Sequence, residues 1–339
     1  MTKIAINGFG RIGRIFFRQA WNNQHLEIVA INDLGDIENL AYLLRYDTVY
    51  GKFKEKVAVQ DGNLVVGGKT VQCLQIKDAT QLPWKKLGID IVIESTGVFE
   101  SFEKARVHID AGAKRLILSA PAKDEDTSDA KTVLMGLNEK DLDGAVMTSN
   151  ASCTTNASSP VIQIMHETIG IKKAVLSTVH GYTATQNLVD GPIRGSKDFR
   201  RGRAAAQNIA PSTTGAAIAV TRAIKDLAGK FDGLAMRVPV VSGSIADITF
   251  VAKRKTSVEE INDIFKKAAK EKRWEGILAV TEDQVVSSDI VAEPYGAIVD
   301  LQFTKVIDGD LVKVLSWYDN EWGYVSTLVK HAEKVASML

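Results

Sequence analysis

Short apolar runs alternate with helical stretches through the first half of the chain. Residues 3–6 (Lys-Ile-Ala-Ile) read as a strand, and residues 11–22 carry Ile15, Phe16 and Ala20 on spaced turns of a helix. A second strand is expected at 27–31, with further apolar runs at 89–93, 116–118 and 133–135. This rhythm predicts an α/β unit, a doubly wound parallel sheet with crossover helices. A hairpin is expected at 57–60 and 64–66, around the turn residues Asp61-Gly62-Asn63.

The second half changes character. Its apolar runs are longer and richer in β-branched residues, at 174–179, 234–241, 245–251 and 311–317, with helices expected at 215–227 and 258–270. That pattern predicts an α+β unit with a mostly antiparallel sheet. The expected division is residues 1–152 and 153–318, with a C-terminal helix, 319–339, packing back on the first unit. No repeat or low-complexity tract interrupts either half.

The chain has 339 residues, 45% of them hydrophobic and 24% charged, enough for packed cores and more than one domain would need. Net charge is +1, so no bulk field points to nucleic acid or to a membrane surface. No run approaches the roughly 18 apolar residues of a membrane span, and the N-terminus lacks the pattern of a signal peptide. Cys73 and Cys153 are too few and too far apart for a disulfide framework, which favours a reducing, cytoplasmic setting. No histidine or cysteine pair has metal-ligand spacing.

Gly8, Gly10 and Gly13 form a G-x-G-x-x-G between an expected strand and an expected helix. In that context the glycines let backbone approach a pyrophosphate, whose charge the helix N-terminus stabilises. An unremarkable glycine-rich turn is the bland alternative. Asp33 follows Gly13 by twenty residues, at the end of the second strand. A carboxylate there accepts from the ribose hydroxyls of NAD and repels the 2′-phosphate of NADP. A turn role for Asp33 within Asn32-Asp33-Leu34-Gly35 is the alternative. Together these residues make the first unit a Rossmann-type domain that takes NAD.

Residues 149–156 (Ser-Asn-Ala-Ser-Cys-Thr-Thr-Asn) read as a helix start ahead of the apolar run 161–165. Cys153 then sits in the first turn, where the positive end of the helix favours a thiolate. An inert buried thiol is the alternative, and Cys73, within the apolar run 70–76, fits that description. Among the five histidines, His180 ends an expected strand before Gly181, a place suited to facing a cleft as a base. Spacing alone does not bring it to Cys153.

The segments 7–14 (Asn-Gly-Phe-Gly-Arg-Ile-Gly-Arg), 152–156 (Ser-Cys-Thr-Thr-Asn), 179–183, 235–239 and 316–321 closely resemble, in order, the phosphorylating glyceraldehyde-3-phosphate dehydrogenases. The resemblance runs from about residue 3 to the C-terminus. It implies that Cys153 attacks an aldehyde, that His180 takes the hydroxyl proton as hydride leaves for NAD, and that inorganic phosphate cleaves the resulting thioester. It assigns Thr183 and Arg237 to the substrate phosphate. Ser152, Thr154, Thr214 and Gly215 fall around substrate and attacking phosphate, although residues 213–215 also suit an ordinary helix cap. On the cofactor side it points to Gly8, Gly10, Arg11, Ile12, Gly13, Asp33, Lys77, Ser119 and Asn320. The basic loop 190–203, with Arg194, Lys197, Arg200, Arg201 and Arg203, is implied to lie at a subunit interface near a neighbour's NAD, in a homotetramer. Many family members carry a second cysteine four residues after the nucleophile; here that residue is Ala157. Two rival readings stand beside this one. One is an erythrose-4-phosphate dehydrogenase, in which water takes the thioester. The other is a nucleic-acid-binding protein that uses the basic loop.

Overall fold

The computed structural model describes residues 1–193 and 198–339. The chain divides into two compact units, Met1–Ala151 with Val325–Leu339, and Ser152–Tyr324.

The first unit is built on β1 (Thr2–Asn7), α1 (Arg11–Ala20), β2 (Leu26–Asn32), α2 (Ile37–Arg45), β3 (Val57–Gln60), β4 (Asn63–Val66), β5 (Lys69–Leu74), β6 (Ile91–Glu94), β7 (Arg115–Leu118), β8 (Ala130–Thr132) and β9 (Met147–Ser149). They form one nine-stranded sheet in the order β8-β9-β7-β6-β1-β2-β5-β4-β3. Pairing is parallel from β8 to β5 and antiparallel through β4 and β3. The central strands are apolar without alternation because both faces are covered; every residue of β6 is buried. Helix α1 buries Ile15, Phe16, Phe17 and Ala20. The β3–β4 hairpin turns at Asp61 and Gly62, both with positive φ (50° and 73°), as a two-residue loop between twisted strands requires. The sheet order reverses at β1, whose neighbours are β2 and β6, so the carboxyl ends of these strands frame a crevice.

Residues 133–135, expected as a strand, are not one. The strand is β8, three residues earlier; Val133 N–H still reaches the Ser149 carbonyl (2.9 Å), after which Leu134 N–H bonds the Asn138 side chain (2.8 Å) and the chain turns. The apolar run marks burial here, not pairing.

The second unit opens with α3 (Cys153–Thr168) and continues through β10 (Ile171–Gly181), β11 (Ala210–Thr213), α4 (Ala216–Ala223), β12 (Phe231–Val238), β13 (Ser244–Ala252), α5 (Val258–Ala268), β14 (Leu278–Thr281), β15 (Ala297–Ile307) and β16 (Leu311–Tyr318). Its seven-stranded sheet runs β11-β12-β10-β13-β16-β15-β14. Pairing is antiparallel except for β10 with β12 and β14 with β15. Strict alternation of buried and half-buried residues along β13 shows a sheet with one face on a core. Strand β12 starts and ends three residues earlier than its apolar run suggests; its end is set by Pro239, which has no N–H to continue the ladder. Helix α5 is capped by Ser257, with Glu259 and Glu260 in its first turn and Lys266 and Lys267 in its last, matching the helix dipole at both ends.

The last helix, α6 (Trp322–Ala336), passes into the first unit. There Ser326 donates to Gln19 (3.0 Å), Glu333 accepts from Asn23 (2.6 Å) and Thr327 accepts from Asn150 (3.2 Å). His331 is fully buried, with Nδ1 3.1 Å from Asn150 Oδ1. No described helix is long and apolar enough to cross a membrane.

Candidate active site

In the first unit the three glycines do three different things. Gly8 has φ +93°, and a Cβ there would meet Thr96 N at 2.7 Å, so the turn after β1 needs a residue without a side chain. A Cβ on Gly13 would lie 2.1 Å from the Gly8 carbonyl oxygen, which is how closely α1 packs on that turn. Gly10 is the N-cap of α1, and a Cβ on it would meet nothing within 4 Å. Its backbone faces open space at a helix N-terminus, the place a pyrophosphate needs.

Asp33 leaves β2 beside this turn. Its carboxylate accepts from Phe9 N–H (2.6 Å) and Gly35 N–H (2.8 Å). Two carboxylate oxygens offer about four acceptor positions, so capacity remains for ribose hydroxyls. Ser119 follows β7, its N–H bonded to the Glu94 carbonyl (2.9 Å), and Lys77 is exposed on the segment after β5. Half-buried Ile12 lies in the first turn of α1. Arg11 is ion-paired with Asp47 and lies 5.6 Å from the centroid of the Tyr50 ring. All the cofactor candidates of this unit therefore follow the carboxyl ends of parallel strands, where ligands of open α/β sheets bind.

In the second unit Cys153 is the first residue of α3. Ser152 caps the helix, its Oγ accepting from Thr155 N–H (3.1 Å), and this places the Cys153 side chain at the helix mouth. His180 is the penultimate residue of β10, and its Nε2 lies 3.3 Å from Cys153 Sγ. The ring's Nδ1 is 2.6 Å from the carbonyl oxygen of Gly181 and 2.5 Å from Arg237 Nη1. Parallel pairing of β10 with β12 sets His180 opposite Arg237. Burial and the charge of Arg237 push His180 down to about 3, so the imidazole is neutral at neutral pH. Burial also pushes the Cys153 thiol up, against the charge of Arg237 and the Thr154 hydrogen bonds. The helix start lies where the sequence reading puts it, and burial works against the thiolate that a helix mouth favours. Cys73 is likewise a half-buried thiol, in β5, pushed up to about 11 by burial.

Sequence reasoning missed three parts of this arrangement. Tyr318 is buried at the end of β16; its hydroxyl meets Thr154 Oγ1 (2.9 Å) and Thr178 Oγ1 (2.8 Å), and its ring is edge-on to His180. Its place inside the segment 316–321 was the available signal. Ser244 donates to Asn320 Oδ1 (2.7 Å) and accepts from Gly181 N–H (3.1 Å), fixing the Asn320 amide. Arg201, grouped above with the basic loop, bonds Thr185 Oγ1 (3.2 Å) and Ser212 Oγ (3.0 Å), and Thr185 meets Thr183 Oγ1 (2.9 Å). Thr214 accepts from Ala216 N–H (3.2 Å) and Gly215 is the N-cap of α4, so the cap reading of this segment holds. Elsewhere in the loop Arg200 pairs with Asp198 and Arg203 with Asp190, while Arg194 and Lys197 lie outside the described residues.

Comparison with known proteins now decides the family. The family model "Glyceraldehyde 3-phosphate dehydrogenase, NAD binding domain" matches residues 2–102, and "Glyceraldehyde 3-phosphate dehydrogenase, C-terminal domain" matches 152–320. A glyceraldehyde-3-phosphate dehydrogenase of Clostridium pasteurianum is 46% identical over 100% of this chain and 99% of its own length. The chain belongs to the glyceraldehyde-3-phosphate dehydrogenase family. Similarity within this family is broad. The Streptomyces coelicolor member is 47% identical over 96% of both chains, and glyceraldehyde-3-phosphate dehydrogenase B of Aspergillus oryzae is 44% identical over 99% of both. The family's NAD-binding match covers the glycine turn and Asp33; its C-terminal match covers Cys153, His180 and Arg237.

Proposed function

We propose that this enzyme oxidises D-glyceraldehyde 3-phosphate with NAD and inorganic phosphate to 1,3-bisphosphoglycerate. The observation that carries the reading is the 3.3 Å approach of Cys153 Sγ to a neutral His180 Nε2, in a chain of this family. In this reading the Gly181 carbonyl, 2.6 Å from Nδ1, holds the ring proton there against the Arg237 donor that approaches the same atom, and the imidazole turns the lone pair of Nε2 toward the thiol. That lone pair takes the thiol proton as sulfur attacks the aldehyde carbon and delivers it to the carbonyl oxygen, giving the hydroxyl of a thiohemiacetal and a neutral His180 again. NAD, when bound, accepts the hydride from that carbon. His180 then takes the hydroxyl proton, and the acyl group stays on Cys153 as a thioester. Phosphate attacks the acyl carbon, the C–S bond breaks, and the thiol is restored.

Gly8, Gly10, Gly13, Arg11, Ile12, Asp33, Lys77 and Ser119 hold the cofactor in this reading, with Asn320 orienting the nicotinamide amide. Thr183 and Arg237 take the substrate phosphate. Ser152, Thr154, Thr214 and Gly215 take substrate and attacking phosphate with hydroxyl and backbone donors. The newly located Arg201 adds a cation beside Thr185. The enzyme works in the cytoplasm as a homotetramer; exposed Val175, Leu234 and Phe303 on the seven-stranded sheet support assembly. NADH formation from glyceraldehyde 3-phosphate, with and without phosphate and again with NADP, tests the reading. Turnover independent of phosphate, or faster with erythrose 4-phosphate, would overturn it.

A further inference from the structure

A buried polar chain lies beneath the dinucleotide turn and none of the roles above uses it. Trp84 Nε1–H donates to His108 Nδ1 (3.1 Å), both side chains being fully buried. That bond makes Nδ1 an acceptor and places the ring proton on Nε2, which faces Glu94 Oε2 at 3.1 Å. Asn7 Nδ2 donates to the same oxygen (2.5 Å). The other carboxylate oxygen accepts from Thr96 N–H (2.7 Å) and Thr96 Oγ1 (2.5 Å). Thr96 Oγ1 in turn accepts from Val98 N–H (3.0 Å). On the far side, Asn7 Oδ1 accepts from Asn32 Nδ2 (2.8 Å), one residue before Asp33.

Glu94 therefore receives four donors from two places. One set comes from β1 and the helical turn that carries His108; the other from the segment leaving β6. The backbone those bonds shape is the backbone against which Gly8 packs, since a Cβ on Gly8 would strike Thr96 N and Ser95 C. Glu94 itself is 1% exposed.

We propose that Glu94 is a positioning residue for NAD: it holds the Thr96–Val98 turn and the Asn7–Gly8 turn in one arrangement at the carboxyl edge of the sheet. The inference rests on the NAD reading above. A glutamine at this position has one acceptor oxygen and one NH2: turned toward Asn7 and His108 the NH2 meets two donors, and turned toward Thr96 it meets the backbone N–H and the hydroxyl has to reverse.

Titration of NAD into the assembled enzyme, wild type, Glu94→Gln and Thr96→Val, tests this. For Glu94→Gln the expected rise in Kd is about ten- to hundredfold, with KM for NAD rising in step and kcat at saturating NAD changing less than about twofold. Thr96→Val removes one hydroxyl and should weaken NAD by about three- to tenfold. A Glu94→Gln enzyme that melts lower yet binds NAD as wild type does would show a purely structural network and overturn the proposal. If Glu94→Gln does not fold, Thr96→Val decides: native melting with unchanged Kd overturns it, and weakened NAD supports it. Failure of the wild type to bind NAD would be seen before any variant is compared, and would overturn the cofactor reading itself.

Discussion

Replacing Gly13 by alanine places a methyl group 2.1 Å from the Gly8 carbonyl oxygen, where contacts under 3.0 Å are essentially never found. Helix α1 has to retreat by about 1 Å, a displacement that elsewhere costs on the order of a hundredfold when it misplaces binding groups. Gly8 has no room to yield, because its own turn is seated against Thr96. Overpacking of this kind costs about 1–3 kcal/mol of stability, and NAD affinity should fall by about ten- to hundredfold. Gly10→Ala is the informative partner. Its methyl meets no protein atom within 4 Å, and its backbone is extended with a negative φ (−71°). Melting of the cofactor-free protein should therefore be native, while NAD binding weakens because the methyl occupies space the pyrophosphate needs. The assays are denaturant unfolding and calorimetric NAD titration of both variants. Unchanged NAD affinity in Gly10→Ala, or native stability together with native affinity in Gly13→Ala, would refute this account of the turn.

Acid sensitivity follows from His331. Burial holds it at about 3 in the folded state, against about 6.5 unfolded, so between those values the unfolded chain binds the extra proton. Stability should thus fall as pH drops from 6.5 toward 3, by about 1.4 kcal/mol per unit for this one group, and His331→Gln should flatten that slope in urea titrations at pH 7 and pH 5. Tyr318→Phe leaves the hydroxyls of Thr154 and Thr178 short of a partner and should cost about 1–3 kcal/mol of stability, measured by denaturant unfolding; no change would mean water replaces the phenol. Ala157 is fully buried one helical turn beyond Cys153, and the wild type should resist peroxide inactivation better than Ala157→Cys, equal rates of inactivation arguing against the idea.

What the sequence made legible follows from range. The glycine turn is local: spacing, strand and helix lie within a dozen residues, so Gly8, Gly10 and Gly13 together point to a pyrophosphate site, while their separate roles come from the packing of the turn. The helix mouth at Cys153 was local in the same way. The meeting of Cys153 with His180 was not, since a helix start and a strand end are brought together only by the sheet register that also sets Arg237 beside His180. The helix end that favours a Cys153 thiolate is visible in sequence, whereas the burial that opposes it depends on everything packed around. Arg201 shows the cost of reading charge by neighbourhood along the chain. It sits among arginines in sequence and among Thr185 and Ser212 in space. Glu94 and His108 gave no signal, because a buried carboxylate looks in sequence like any other glutamate.

The Gly181 carbonyl that receives His180 Nδ1 is a main-chain atom. In a triad the orienting acceptor is a carboxylate, and a single codon change removes it. Here every amino acid at position 181 would supply the same oxygen. What selection must guard is instead the absence of a side chain, since a Cβ on Gly181 would fall 2.9 Å from the Val240 carbonyl. The orientation of the base is thereby almost proof against point mutation, and vulnerable at one position to bulk alone. An engineer can shift the protonation of this histidine through Arg237, but has no side-chain acceptor to exchange and must move the strand to turn the ring.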